Sequence, residues 1–371
     1  MDRRTFLKSA AVTAGLSGTA LLAACEKKPP PGEPAPAAVT TAQATEWRMV
    51  TTWPPGLPIL QESAERIAAS VERMTGGRFR IRVYGGGELV PPLGAFDAAS
   101  QGTVEMSHGA AYYWAGKAAA AQFFTTVPFG MNAQQTNAWL VSGGLDLWRE
   151  LYAPFDMVPF QAGNSGVQMG GWFRKEIKTL RDLKGLKMRI PGLGGDVLRK
   201  AGGTPIGLPA NEIFKALERG VIDATEWVGP LHDLKMGFYQ AARYYYYPAW
   251  QEPSAVIECA VNKTAWEALS PELQAILEMA VAEAAQWVLA SFEAANPAAL
   301  KELVEQHDVR LVQFPNSILR ELRTIAEQIL GEVADRDPMA RKVYDSYTAF
   351  QKANGKWQEI SEWAMQHALS L

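Results

Sequence analysis

From Ser270 onward the chain carries one long helical pattern: Ile276, Leu277, Ala280, Val281 and Ala284 recur at three- and four-residue spacing, and the pattern runs on toward Leu303. Ser270 is a good N-cap, and Pro271 suits the first helical position. If the helix continues across Pro297, residues 271 to 306 span about 54 Å at 1.5 Å per residue, too long for a single lobe. Such a helix predicts a two-lobed body that it braces.

An internal echo also points to two lobes. Residues 95–108 (AFDAASQGTVEMSH) align without gaps on residues 213–226 (IFKALERGVIDATE), pairing Phe96 with Phe214, Ala98 with Ala216, Gly102 with Gly220, Val104 with Ile222 and Glu105 with Asp223. Each copy reads as a helix closed by a glycine, which tolerates positive φ, and followed at once by a strand. Duplication and convergence on a common helix-to-strand turn both produce this pattern, and both place strand ends at His108 and Glu226. The folded part opens in related fashion. Trp47–Thr52 suits a strand, Ile59–Met74 has helical spacing stopped by Gly76 and Gly77, and Phe79, Ile81 and Val83 restore the strand period. That strand, helix, strand unit predicts a parallel pair and an α/β lobe.

Ahead of this body lies an address. Arg3 and Arg4, followed by Phe6, Leu7, Lys8 and a mild apolar run through Ala24, resemble a twin-arginine export signal, and the run is too short and diluted for a membrane span. Residues 22–25 (LAAC) resemble a lipobox, which makes Cys25 the expected lipidated residue; an ordinary signal peptide with a chance cysteine is the plainer reading. The Pro- and Ala-rich stretch up to residue 45 suits an extended tether. The expected organisation is a signal at 1–24, a lipid anchor and tether at 25–45, and an exported body in which Cys259 has no disulfide partner.

Composition narrows the function. Against 39 Asp and Glu there are 36 Lys and Arg, a formal charge of −3 with no basic footprint for nucleic acid. Two cysteines exclude a four-cysteine zinc site or a CxxC pair, and His108, His232, His307 and His367 form no HExxH spacing. There is no GxSxG elbow, SxxK motif or phosphate loop, and Val197 stands where a GxGxxG turn starting at Gly192 needs glycine. What remains is binding chemistry. Leu186, Met188 and Ile190 alternate with Lys187 and Arg189, so Arg189 sits at a strand end just before Pro191 and a glycine-rich turn. Its planar fork suits a carboxylate there, although an exposed arginine on an edge strand has the same local sequence.

Four segments together resemble one family. Leu183–Gly192 (LKGLKMRIPG), Pro209–Asp223 (PANEIFKALERGVID), Asn164–Arg174 (NSGVQMGGWFR) and Ser107–Trp114 (SHGAAYYW) are similar to the substrate-binding subunits of TRAP (tripartite ATP-independent periplasmic) transporters. The first two are general to these subunits; the other two resemble the subgroup that binds 2-oxo acids and related 2-hydroxy acids. The resemblance covers the body from residue 46 onward. It implies an α/β, two-lobed periplasmic-binding-protein fold with multiple interdomain crossovers and a long bracing helix. Lobe I would comprise residues 46–166 and 252–291, and lobe II residues 167–251 and 292–336. Residues 337–371 would form a C-terminal helix whose Tyr347, Phe350, Trp357, Ile360 and Trp363 face packs on its own body or joins a homodimer.

Carried over by the resemblance, Arg189 would hold the substrate carboxylate in a two-point salt bridge. Asn164 and one of Tyr112 or Tyr113 would hydrogen-bond the carboxylate or the 2-oxo oxygen. Gln168, Glu226, the Trp227 carbonyl and Glu252 would hold a cation beside the substrate, with either Gln251 or Glu252 facing inward. These are oxygen donors, suited to Na+ or Ca2+ and not to zinc. Plain core packing is the other reading for Tyr112, Tyr113 and Trp250, and it is the reading taken for Trp114. The implied protein is a non-enzymatic periplasmic receptor that passes a small monocarboxylate, such as pyruvate or lactate, to TRAP membrane permease subunits. A metal-dependent enzyme of oxo acids and a sensory protein of the same fold are the alternatives.

Overall fold

The computed structural model describes residues 44–371; the twin-arginine motif, Cys25 and most of the tether lie outside the described residues. The opening unit forms as its spacing predicts. β1 (Thr45–Thr51) buries Trp47, Met49 and Val50. The helix Leu60–Thr75 buries Leu60, Ala64, Ile67, Ala68 and Val71 on one face and stops where Gly76 adopts a left-handed φ of 59°. β2 (Phe79–Tyr84) then returns parallel to β1. β3 (Met106–Gly109) joins the other side of β1 in parallel, and β4 (Met157–Asn164) follows.

The chain next builds a second sheet from β5 (Gly171–Phe173), β6 (Lys187–Arg189), β7 (Thr204–Ile206), β8 (Ala224–Thr225) and β9 (Tyr244–Tyr247). β10 (Val256–Asn262) comes back to the first sheet and inserts between β3 and β4, antiparallel to both. β11 (Arg310–Gln313) returns to the second sheet beside β9. The orders are β2-β1-β3-β10-β4 and β11-β9-β5-β8-β6-β7. Both copies of the echo take one shape, a short helix, a glycine at φ 70° (Gly102 and Gly220), then β3 or β8.

Two short segments, 165–170 and 248–255, carry the chain between the sheets and hydrogen-bond each other, Ser165 N to Ala255 O at 2.9 Å and Gln168 N to Glu252 O at 3.2 Å. The long helix Pro271–Gln306 runs continuously through Pro297, with the Ser270 side chain accepting from Leu273 N. It packs on the Leu60–Thr75 helix and β4 of the first lobe, and on the Pro230–Met236 helix of the second, where Asn296 Oδ1 accepts from Leu231 N at 3.1 Å. An apolar cluster spans the junction, joining Trp53, Leu57, Ile59 and Leu60 to Trp172, Trp227 and Val228.

The C-terminal segment forms two helices where one is expected, and its aromatic residues divide between a buried and an exposed group. The helix Asn316–Ala334 packs on the Gly192–Lys200 helix of the second lobe, and Pro338–Ile360, capped by Asp337, crosses back to the first. There Val343 and Tyr347 are buried; the Tyr347 hydroxyl accepts from Met131 N at 2.9 Å, and Trp139 Nε1 donates to Ser346 Oγ at 3.1 Å. The first lobe supplies Phe123 and Trp139 as aromatic partners for Tyr347, so this residue belongs to the protein's own core. The chain breaks at Ser361 into a second helix, Glu362–Leu369, and Trp357, Ile360 and Trp363 are 58%, 72% and 51% exposed.

Candidate functional site

β6 lies between β7 and β8, so Arg189 is not on an edge strand, and its side chain is buried. Nη1 pairs with Glu226 Oε1 and also donates to the Glu226 carbonyl at 3.2 Å. Nε reaches the Leu208 carbonyl and Nη2 the Tyr113 hydroxyl, both at 3.4 Å. The Trp227 ring lies against the guanidinium, 5.1 Å from Cζ, and Tyr113 stacks on Tyr112 at 4.7 Å. Part of the fork expected to grip a carboxylate is thus engaged from within the protein, and Nη2 is its least committed nitrogen.

Glu226 follows β8 directly, at the strand end the echo predicts, and is fully buried. Its Oε2 accepts no hydrogen bond from the described residues, and neither do Gln168 Oε1 and Glu252 Oε2 on the two crossing segments. Buried acceptors without donors are costly, and carboxylates more so. Burial pushes the Glu226 carboxyl up to about 7 against the pull of Arg189. Glu252 is held well above the usual carboxylate range, by burial first and then by the charge of Glu226. Burial is the largest influence on Arg189 and opposes its charge, but Glu226, the Tyr113 and Tyr112 hydroxyls and Glu252 together outweigh it and keep the guanidinium above its ordinary value.

Of the two neighbours on the second crossing segment, Glu252 faces this group. Gln251 donates through Nε2 to Met169 O at 2.8 Å, and its Cβ lies against Gly194 at the start of the Gly192–Lys200 helix. Gln168 donates through Nε2 to Ser165 Oγ at 3.2 Å, which leaves its oxygen side free. Asn164 lies nearby: Oδ1 accepts from Gly166 N at 3.0 Å, and Nδ2 reaches Asn137 Oδ1 at 3.4 Å with one of its two N–H groups. Trp114 and Trp250 are buried, Trp114 donating to Glu258 at 2.9 Å.

Three further residues went unassigned by sequence reasoning. Trp53, in the loop after β1, meets Trp227 edge-on across the lobes at 6.3 Å, and its Nε1 donates to His108 Nδ1 at 2.8 Å. His108 sits 3.3 Å from Ser63 Oγ through Nε2, and burial lowers it to about 3, so the ring is neutral. His232, from the second lobe, meets the Pro58 carbonyl of the first at 2.8 Å. An aromatic in a Pro-Pro-Gly loop was the available signal for Trp53, and the echo placed His108 at a strand end without giving it a role.

Known proteins match this architecture. Residues 49–337 fit the family model of the bacterial extracellular solute-binding protein, family 7. A monocarboxylate 2-oxoacid-binding periplasmic protein of Nostoc sp. is 42% identical over 367 residues, 98% of this chain and 97% of that protein. The crystal structure of a TRAP transporter solute-binding protein from Bordetella bronchiseptica RB50 is similar with a TM-score of 0.86 at 42% identity, over 88% of this chain and 97% of that one. It is a mixed-occupancy dimer with copurified calcium and picolinate in one active site and an apo site in the other. A TRAP periplasmic solute-binding protein from Pseudoalteromonas atlantica T6c, with bound sodium and pyruvate, gives a TM-score of 0.85 at 41% identity over 87% and 99% of the two chains. Identity sustained over nearly the whole chain, on the same two-lobed frame, fixes the lineage: the protein belongs to family 7 of the bacterial extracellular solute-binding proteins, the solute receptors of TRAP transporters.

Proposed function

We propose that the protein is a periplasmic receptor that binds a small 2-oxo or 2-hydroxy monocarboxylate, of the pyruvate or lactate type, together with Na+ or Ca2+, and delivers it to TRAP membrane permease subunits. The observation that carries this reading is the buried Arg189 beside three acceptor oxygens, Gln168 Oε1, Glu226 Oε2 and Glu252 Oε2, that take no hydrogen bond from the described residues. One guanidinium cannot balance two carboxylates and an anionic ligand as well. With the Trp227 carbonyl these oxygens make a hard donor set that fits Na+ or Ca2+. Among the described residues no group of three His, Cys, Asp or Glu side chains offers a different metal centre. The ion supplies positive charge that lets Glu226 and Glu252 ionise next to an anion.

In this reading Arg189 orients the substrate carboxylate through Nη2, and the Tyr113 hydroxyl donates to the carboxylate or the 2-oxo oxygen, with Tyr112 backing its ring. Asn164 fixes the turn that carries Gln168 through its oxygen, and its free N–H donates to the substrate carboxylate or the 2-oxo oxygen. Trp53 and Trp227 exclude water, which strengthens each charge interaction inside. The sodium and pyruvate of one relative, and the calcium and picolinate of another, support the ligand class. A receptor is favoured over an enzyme of oxo acids because the family's members act as receptors. The same reading includes twin-arginine export through Arg3 and Arg4, a lipid anchor at Cys25, lobes divided at residues 166/167, 251/252 and 291/292, and a homodimer joined through Trp357, Ile360 and Trp363.

The test is calorimetric titration of pyruvate and lactate into chelator-treated protein in sodium-free buffer, repeated with each ion restored. Binding should strengthen with one of the ions. Equal affinity in all three conditions overturns the ion-coupled site.

A further inference from the structure

One contact between the lobes lies outside the carboxylate and ion groups. The loop after β1 turns at Ile59, whose φ is 59° and ψ −60°. Leu60 N donates to the Pro58 carbonyl, two residues back, at 2.6 Å. This is a γ-turn of the rare, strained hand, and positive φ in a β-branched residue is an outlier. Ile59 is buried in the junction cluster, which holds the conformation in place.

The turn aims a carbonyl. Pro58 O points to the second lobe, where His232 Nε2 on the Pro230–Met236 helix meets it at 2.8 Å. A carbonyl only accepts, so Nε2 carries the proton and Nδ1 does not. Burial lowers His232 to about 4, which keeps the ring in the neutral form. Phe292 of the long helix fixes the ring edge-on, with centroids 5.0 Å apart. The next residue, Asp233, accepts from Trp172 Nε1 at 2.9 Å and the Tyr245 hydroxyl at 2.6 Å, so the base of His232 is tied to β5 and β9. Residues 226–232 therefore present Glu226 and Trp227 to the candidate site and His232 to the opposite lobe. Within its own lobe the Pro58 carbonyl gains only the distorted bond from Leu60 N, while Ile59 N donates to Glu62 Oε2 at 2.9 Å; across the boundary that carbonyl gains a buried donor.

We propose that His232 is a positioning residue: its bond to the Pro58 carbonyl latches the two lobes closed and sets how long a ligand is retained. The proposal rests on the receptor reading above. His232→Phe keeps a ring against Phe292 but removes the donor, and His232→Gln keeps an N–H at the reach of Nε2. With the full chain and calcium present, stopped-flow tryptophan fluorescence reads pyruvate association and release. The Phe variant should release pyruvate roughly 3- to 10-fold faster, the worth of one hydrogen bond, with association unchanged, and the Gln variant should recover most of the difference. Small-angle scattering should show the Phe variant more expanded than the wild type, with or without pyruvate. A lowered melting temperature with an unchanged release rate makes His232 purely structural and overturns the latch. A wild type that binds no 2-oxo acid refutes the receptor reading instead, and scattering then decides the latch alone, equal radii overturning it.

Discussion

Arg189 and Glu226 form an ion pair at the ends of two neighbouring strands, their side chains 2% and 0% exposed. Removing one member of such a pair leaves a charge with no compensation in a low-dielectric interior. Arg189→Ala should therefore cost about 3–5 kcal/mol of folded stability as well as abolishing pyruvate binding. Arg189→Lys keeps the charge without the fork, so it should stay folded and bind at least roughly tenfold more weakly. Urea denaturation beside calorimetry separates the two effects. Near-native affinity in the Lys variant removes the fork from the recognition.

Glu252 has an unpartnered oxygen and a carboxyl pushed up by burial and then by Glu226. A neutral amide escapes the cost of burying a charge. At alkaline pH, Glu252→Gln should melt higher than the wild type in chelator, yet lose the stabilisation that calcium gives the wild type. Thermal scans in both buffers decide this. A variant that melts lower in chelator shows that Glu252 serves the fold.

Glu258 on β10 is buried between Trp114 and Tyr152, which donate to its two oxygens. Burial pushes its carboxyl up to about 7, the two donors pulling back, from an ordinary value of 4.5. The folded state thus holds a proton the unfolded state has released. The resulting stability is complete below the ordinary value and is lost as pH rises through about 7. Glu258→Gln is neutral throughout, so the wild-type melting temperature minus that of the variant should fall between about pH 5 and pH 8. A difference that stays flat contradicts the raised carboxyl.

Cutting the chain after Gly355 removes the exposed Trp357, Ile360 and Trp363 but leaves Val343 and Tyr347 in the core. Sedimentation should show a dimer for the intact chain and a monomer for the shortened one, with similar melting temperatures. Tyr347→Phe loses only the hydroxyl bonded to Met131 N and should cost about 1 kcal/mol with no change in association. An intact chain that sediments as a monomer at micromolar concentration eliminates the dimer.

Much of the frame could be read from local pattern. The glycine that ends each echoed helix fixes where β3 and β8 begin, and this places His108 and Glu226 at strand ends from local pattern alone. The cap at Ser270 and the spacing beyond it gave the long helix, because helical period is a property of neighbouring residues. Side-chain direction in irregular segments is not such a property. A motif located Asn164, but its bonds to Gly166 and Asn137 depend on how the turn is wound. Trp53 and His232 lie in segments with no period, and each meets a partner from the other lobe, Trp227 and the Pro58 carbonyl, that no local pattern could supply. For Tyr347 the pattern leaves two readings open, packing on its own body or on a neighbour, since an apolar stripe does not say whose surface it will cover.

The place of β10 has a consequence for how the protein comes into being. β4 has β10 as its one neighbour in the sheet, and β10 also completes the open side of β3. Until residue 262 has been synthesised, the first sheet is a three-stranded fragment and β4 is an unpaired ribbon. By that point every strand of the second sheet but β11 already exists. The first sheet can therefore close only after most of the second has been made, and loss of either half on heating should take the other with it.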